Sequence, residues 1–279
     1  MLFRSSKYYA RKATVLRRMK RYDEAVDMLK EAMDKYGYPE GNKIIFQVYA
    51  QSSRLDEAEE HLRKWQESEP DSADLAECMI RLNMYRKDFG KAMQVKKQNE
   101  KKLNKDWSLE LDQIFSEYYA DYRKQLKEIH KWMDYRNSKN GFDVSRIQGT
   151  LSQCYFRLGD MENARKYALE ALKDVDEKMN CFETNRLLFM SRKIRIMALI
   201  GKREETEQLI EECRSMPFCE ICPEHHCKDV DIFAMEAYEI FGDYEKAFEI
   251  ALEGRKLYPD EEDFIIAEKN LAEKVKQEC

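Results

Sequence analysis

The sequence predicts an all-α fold laid out as an array of helical pairs, on three observations. First, only 9 Gly and 5 Pro punctuate 279 residues, too few for the turns of a β-sandwich or barrel. Second, charged residues make up 37% and apolar residues 43%, the balance of a folded soluble chain with wide solvated faces. A single core would be near its upper size at this length, so two domains or a repeat array are the natural options. Third, one phrase recurs along the chain, and self-similarity at a fixed period is the signature of stacked units.

The phrase reads RYDEAVDMLKEAM, RLDEAEEHLRKW, DFGKAMQVKKQN, DYRKQLKEIHKW, DMENARKYALEAL, KREETEQLIEEC and DYEKAFEIALEG. Aligned on the small residue after the acidic pair, it gives Ala25, Ala58, Ala92, Gln125, Ala164, Thr206 and Ala247, spaced by 33, 34, 33, 39, 42 and 41 residues. Three positions earlier stand Tyr22, Leu55, Phe89, Tyr122, Met161, Arg203 and Tyr244, all but Arg203 apolar, as a helix needs where it packs on its predecessor. Gly159, Gly201 and Gly242 lie five positions before their anchors, where one helix must end and the next begin. Nine positions before the anchors come Leu16, Tyr49, Asn83, Ser116, Tyr155, Met197 and Tyr238; four after them come Leu29, Leu62, Lys96, Ile129, Ala168, Ile210 and Ala251. Residues 160–178 and 181–200 are read as helices of about five turns, and 261–277 as one more amphipathic helix with Phe264, Ile265, Leu271 and Val275 apolar.

This pattern resembles the tetratricopeptide repeat family, whose 34-residue helical pair opens its second helix with a small residue and closes it with Pro, here Pro70 and Pro259. The resemblance covers roughly residues 6–260. It departs from the family in lacking the first-helix tryptophan and at Lys96 and Asn99. It implies a right-handed α-solenoid of about seven pairs over 1–260, with repeats near 6–38, 39–72, 73–105, 106–140, 145–180, 187–216 and 228–260, and a C-terminal capping helix at 261–279. Stacking is required because a lone pair cannot bury its apolar faces. The later, longer repeats look like those of bacterial peptide-sensing regulators of this family.

Four of the eight cysteines fall in CRSMPFCEICPEHHC, a Cys/His-rich loop at 213–227. The Cys-x2-Cys step suits a tetrahedral zinc, so the expected ligands are Cys213, Cys219, Cys222 and Cys227, with His225 or His226 as substitute. Four such ligands would close the site and make it structural. Free thiols in a loop are the competing reading, then disulfides. Cys78, Cys154 and Cys181 sit in helical pattern and read as core.

In relatives of this kind the first helix of each pair lines the concave side, where peptides bind. Inward positions there are the second, fifth, sixth, ninth and twelfth or thirteenth, counted from 19 residues before the anchor. Lys7, Arg11 and Arg18 occupy them in the first repeat; Arg146, Gln153, Arg192 and Arg195, with Asn185 one turn earlier, are the candidates in the fifth and sixth. Lys7 and Arg11 match part of the carboxylate clamp of chaperone-binding relatives, but Ala10, Thr14 and Ile44 replace the rest. Arginine forks suit carboxylates, and Gln or Asn can satisfy a peptide group, so the expected partner is a protein or peptide with an acidic or carboxylate-terminated segment. The competing reading pairs these arginines with Asp or Glu on neighbouring helices.

The net charge of −5 and one short basic opening helix argue against nucleic acid. No nucleophile elbow, zinc-protease motif or phosphate loop is present. No apolar stretch is long enough for a membrane, and MLFRSSKYYARK has no signal-peptide core. The expectation is a cytoplasmic, non-enzymatic scaffold or adaptor. The alternative is a peptide-responsive regulator whose superhelix changes pitch. Self-association through the end helices is a further expectation.

Overall fold

The computed structural model describes residues 3–38, 40–138, 144–181, 186–216 and 227–278, and among these the chain forms fifteen helices and no strand. They run α1 (Phe3–Arg18), α2 (Tyr22–Tyr36), α3 (Gly41–Gln51), α4 (Leu55–Ser68), α5 (Ala73–Tyr85), α6 (Phe89–Asn99), α7 (Lys105–Tyr118), α8 (Tyr122–Asn137), α9 (Val144–Arg157), α10 (Met161–Cys181), α11 (Arg186–Leu199), α12 (Arg203–Ser215), α13 (Lys228–Ile240), α14 (Tyr244–Leu257) and α15 (Glu262–Glu278). Helix α10 reaches Cys181, so that residue ends one helix and does not open the next. No described helix is long and apolar enough to cross a membrane.

The recurring phrase is the corner of each pair. All seven residues three positions before the anchors open a second helix, including the polar Arg203. All seven anchors are buried, Ala25, Ala58, Ala92, Ala164, Thr206 and Ala247 at 0% exposure and Gln125 at 3%. Five positions before each anchor the backbone turns left-handed, with φ of 56° at Lys20, 59° at Ser53, 62° at Lys87, 53° at Ala120, 77° at Gly159, 85° at Gly201 and 77° at Gly242. The next N–H then bonds back to the carbonyl nine positions before the anchor, from Arg21 to Leu16 at 2.9 Å through to Asp243 to Tyr238 at 2.9 Å. This bond satisfies a helix-end carbonyl that would otherwise have no partner. Only three of the seven turns use glycine, the residue that enters this conformation without steric cost.

Side-chain caps add to some of these corners and to the start of α5. The Ser72 hydroxyl accepts from the Leu75 N–H, and the Asp88 and Asp121 carboxylates accept from Lys91 and Lys124. Such caps satisfy N–H groups that have no partner inside the helix.

The array divides into two compact units, Met1–Leu103 with Leu257–Glu262, and Asn104–Lys256 with Asp263–Cys279. In each, a second helix packs on the first helix of the following pair, as α2 does on α3 and α10 on α11, while first helices also touch one another, α1 with α3, α3 with α5, α9 with α11 and α11 with α13. Within each unit the first helices therefore form a layer, whose outer surface is called that unit's inner face below. The first unit's core includes Ile45, Phe46, Ile80, Met84 and Phe89, with the Phe46 and Tyr85 rings stacked at 6.3 Å. In the second, Leu109, Ile129, Trp132, Ile147, Leu151 and Cys154 form one buried cluster drawn from two successive pairs. Each such side chain contributes about 1.5–3 kcal/mol on burial, and the cluster exists only because the two pairs stack. The expected core cysteines Cys78 and Cys154 are both 1% exposed.

Candidate functional site

Helical period places the charged side chains of each inner face in register, since residues three or four apart share one surface. In the first unit these rows carry Arg17 from α1, Lys43, Gln47 and Gln51 from α3, and Asp74, Glu77 and Arg81 from α5. Arg17 donates from Nε to Gln51 Oε1 at 2.8 Å and from Nη1 to Gln47 Oε1 at 3.4 Å. Lys43 Nζ bridges Asp74 at 2.8 Å and Glu77 at 2.7 Å, and Arg81 Nε meets Glu77 at 3.2 Å. Arg81 Nη1 reaches Glu262 Oε1 at 2.5 Å. Burial works against the Arg81 charge, but Glu262 overrides it and leaves the guanidinium more basic than usual. Burial lowers Arg17 in turn, opposed by the charge of Asp260. The carboxylates of residues 260 and 262 thus sit in the field of inner-face arginines.

The second unit carries its own acids. Glu236 of α13 accepts from Gln153 Nε2 at 2.7 Å and pairs with Arg195 Nη1 at 3.2 Å, and Arg195 Nη1 also donates to Gln153 Oε1 at 3.1 Å. All three are buried, at 7%, 5% and 6% exposure. Gly149 makes the room, since a Cβ there would stand 2.7 Å from Arg195 Nη2. One turn along α13, Glu239 pairs with Arg157 Nη2 at 3.0 Å and Lys274 Nζ at 2.8 Å, and Arg157 Nη1 pairs with Glu117 of α7.

The two acids of α13 titrate in opposite senses. Burial would lift Glu239, but Arg157 and then Lys274 hold its carboxyl down at about 2. Burial raises Glu236 above the ordinary carboxylate range in spite of Arg195 and Arg157. Arg157 keeps a buried Nε without a partner.

The expected groove residues therefore meet different fates. Arg11 and Arg18 are exposed on α1. Lys7 lies within α1, and its side chain falls outside the described residues, as does Asn185. Arg146 is exposed, pairs with Glu110 and lies 5.2 Å from the Trp132 ring. Arg192 donates to Ser145 Oγ at 3.2 Å. Gln153 and Arg195 do come together, on a carboxylate from the chain itself.

Of the expected metal ligands, Cys219, Cys222, His225 and His226 lie outside the described residues. Cys213, near the end of α12, and Cys227, just before α13, are 1% and 6% exposed, and burial pushes the Cys213 thiol up to about 12. Among the described residues no three His, Cys, Asp or Glu side chains form a metal-sized group. A cavity of about 390 Å3 in the first unit is lined by Asp56, Glu59, Leu62, Met79 and Asn83, but its acids Asp56 and Glu59 are already paired with Arg86.

Several inner-face residues were missed in the sequence: Arg17, Arg81, Glu117, Arg157, Glu236, Glu239 and Lys274. All but Lys274 stand at the ninth, twelfth or thirteenth position of their repeats, so the same count applied to every repeat finds them.

The tetratricopeptide repeat family model matches residues 6–34 and 145–173, within α1–α2 and α9–α10. The structure is similar to the crystal structure of a tetratricopeptide repeat protein from Parabacteroides merdae ATCC 43184, at 11% identity and a TM-score of 0.51, covering 96% of this chain and 99% of that one. It is also similar to Pseudomonas aeruginosa pilF, at 14% identity and a TM-score of 0.44, covering 88% of this chain and 99% of that one. No curated protein matches the sequence.

Proposed function

The chain is a tetratricopeptide repeat protein, and from that premise we propose that it is a non-enzymatic scaffold whose first unit recognises an acidic or carboxylate-terminated segment of a partner protein. The supporting observation is its own segment Leu257–Glu262, in which Glu262 pairs with Arg81 and Asp260 acts on Arg17. An acidic stretch is therefore the chemistry this face accommodates. Arg11 and Arg18, exposed on the adjoining α1, are the cations open to an incoming carboxylate, with Lys7 on the same helix. In the second unit the candidates are Arg146, paired with Glu110, and Arg192, which donates to Ser145, so a partner's carboxylate would have to compete with those bonds.

The test is fluorescence anisotropy with a labelled acidic peptide ending in a free carboxylate. Binding should weaken as salt rises and be lost in an Arg11→Glu/Arg18→Glu variant that keeps its helical circular dichroism. Equal binding by the variant, or equal binding of a basic peptide of the same length, removes the assignment.

We also propose a structural zinc in the 213–227 loop, on the ligands named from the sequence. The two end cysteines support it by place: Cys213 and Cys227 are both buried where the loop leaves α12 and enters α13, and a closed zinc site needs ligands held at both ends of its loop. Metal analysis should find about one zinc per chain, lost in Cys219→Ser and Cys222→Ser; a metal-free protein ends that reading.

A further inference from the structure

Helix α15 is more than a cover for the last pair. Its Phe264 ring packs so closely on α14 that a Cβ added at Gly254 would stand 2.4 Å from it. From there α15 also reaches α7. Lys269 Nζ donates to the Tyr118 carbonyl at 2.8 Å and lies 4.9 Å from the Tyr118 ring, and Asn270 Nδ2 donates to the Glu117 carbonyl at 3.0 Å. These carbonyls end α7 at the negative end of its dipole, and the Glu117 carbonyl accepts from Asn270 in addition to the turn N–H of Ala120 at 2.9 Å. Lys274 closes the third contact on Glu239. Between these anchors Ile266, Asn270 and Leu271 face Glu117, Arg157 and Met235 across a residual void of about 20 Å3.

We propose that the inner face of the second unit is a helix-binding groove that α15 occupies as an intramolecular latch, and that a partner protein enters it with an amphipathic helix of the same chemistry. That chemistry is apolar, Asn four residues on, apolar at the fifth and Lys at the eighth, as Ile266, Asn270, Leu271 and Lys274 present it. Two properties of the seat make the occupant exchangeable. The polar anchors are a lysine on a carbonyl, an amide on a carbonyl and a lysine on a carboxylate, each of which another helix can reproduce. The void under the helix and the unpartnered Arg157 Nε leave space and a donor that a side chain of a competing helix can take up. The inference rests on the scaffold reading only in that a partner protein supplies the competing helix; the first unit's Arg11 and Arg18 play no part in it.

The test uses the full chain and a labelled peptide with the sequence of residues 262–278. Lys269→Glu/Lys274→Glu changes only the latch, repelling it from the α7 carbonyl end and from Glu239 while leaving the groove walls intact. This variant should bind the peptide at least about tenfold more tightly than the unaltered chain, because more of its grooves are free. A peptide carrying the same two glutamates should not bind. In the unaltered chain, native-state hydrogen exchange should show α15 amides opening at least about tenfold faster than those of α13. The proposal is overturned if the variant excludes the peptide as the unaltered chain does, if the glutamate peptide binds equally, or if α15 exchanges only as fast as α13. The exchange measurement decides the matter even if the variant fails to fold. Loss of acidic-peptide binding through Arg11 and Arg18 leaves these outcomes untouched, so the two readings fail separately.

Discussion

The inner faces of the two units are built on the same helical positions and are charged by different means. In the first, Arg17 leans on the neutral Gln47 and Gln51, and Arg81 takes a carboxylate from Glu262. In the second, Glu236 and Glu239 of α13 answer Arg195 and Arg157 from within the layer itself. A face whose cations are served by a peripheral acidic segment can exchange that segment for another. A face whose cations are paired side by side has its charge already satisfied, and what it can still offer is shape, the trough in which α15 lies.

That contrast makes its largest prediction for the arginines. Arg157→Leu leaves the buried Glu239 with Lys274 alone and the half-buried Glu117 with only the Gln125 amide, which costs about 3 kcal/mol, read as a lower urea midpoint. Arg17→Leu leaves two neutral, half-buried amides and removes the cation whose field Asp260 feels, and should cost about 1 kcal/mol. Equal losses would erase the distinction between the two faces.

The carboxylates sharpen it further. The fold stabilises ionised Glu239, whose carboxyl falls from 4.5 to about 2, equivalent to about 3 kcal/mol. Because the folded value is the lower one, that stability is present above pH 4.5 and is lost as pH falls toward 2. Glu236 is raised on folding, so its contribution is present below 4.5 and is lost as pH rises through its folded value. Glu239→Gln should therefore lose about 3 kcal/mol at pH 7 and flatten the acid limb of the stability profile. Glu236→Gln should cost markedly less and flatten the limb above pH 4.5. Stability measured by urea titration from pH 2 to pH 8 separates them; identical profiles would mean that burial and pairing act alike on both.

Gly149→Ala probes the same network without removing a charge. The added Cβ, 2.7 Å from Arg195 Nη2, displaces a flexible guanidinium, so the steric cost is small, but the buried bonds to Gln153 and Glu236 are strained or lost. The expected loss is about 1–3 kcal/mol. A second substitution, Arg195→Met, should remove most of the Gly149→Ala effect in a double-mutant cycle.

Much of the pair architecture was legible in the sequence because it is local. The small anchor must be buried where two helices meet, so Ala25, Ala58, Ala92, Ala164, Thr206 and Ala247 announce seven corners together with Gln125, even where Lys96 or Arg203 breaks the surrounding pattern. The site was legible only by position. The inward count put Gln153 and Arg195 on one surface, but no spacing within a single helix shows that Glu236, 41 residues beyond Arg195, answers both. The reach of α15 to Glu117 and Tyr118, across a separation of 153 residues at Asn270, depends on how pairs stack, and an amphipathic pattern reads the same whether a helix caps an array or lies against its inner layer.

The corners carry the same contrast between units at the smallest scale. Every corner inside a pair of the first unit places a side-chain residue in the left-handed region, Lys20, Ser53 and Lys87, whereas three of the four in the second use glycine. A Cβ in that region crowds the following carbonyl, at about 1 kcal/mol per residue. Ser53 is exposed, so Ser53→Gly relieves this strain with no packing to lose and should raise stability by somewhat less than that, the glycine also loosening the unfolded chain. Gly242→Ala reverses the change, and since nothing lies within 4 Å of the added Cβ its expected loss of about 1 kcal/mol is backbone strain alone. Thermal melts of the two variants should therefore move in opposite directions. If Ser53→Gly also destabilises, the first unit's turns are held by contacts of their side chains and not merely tolerated by the corner bonds that follow them.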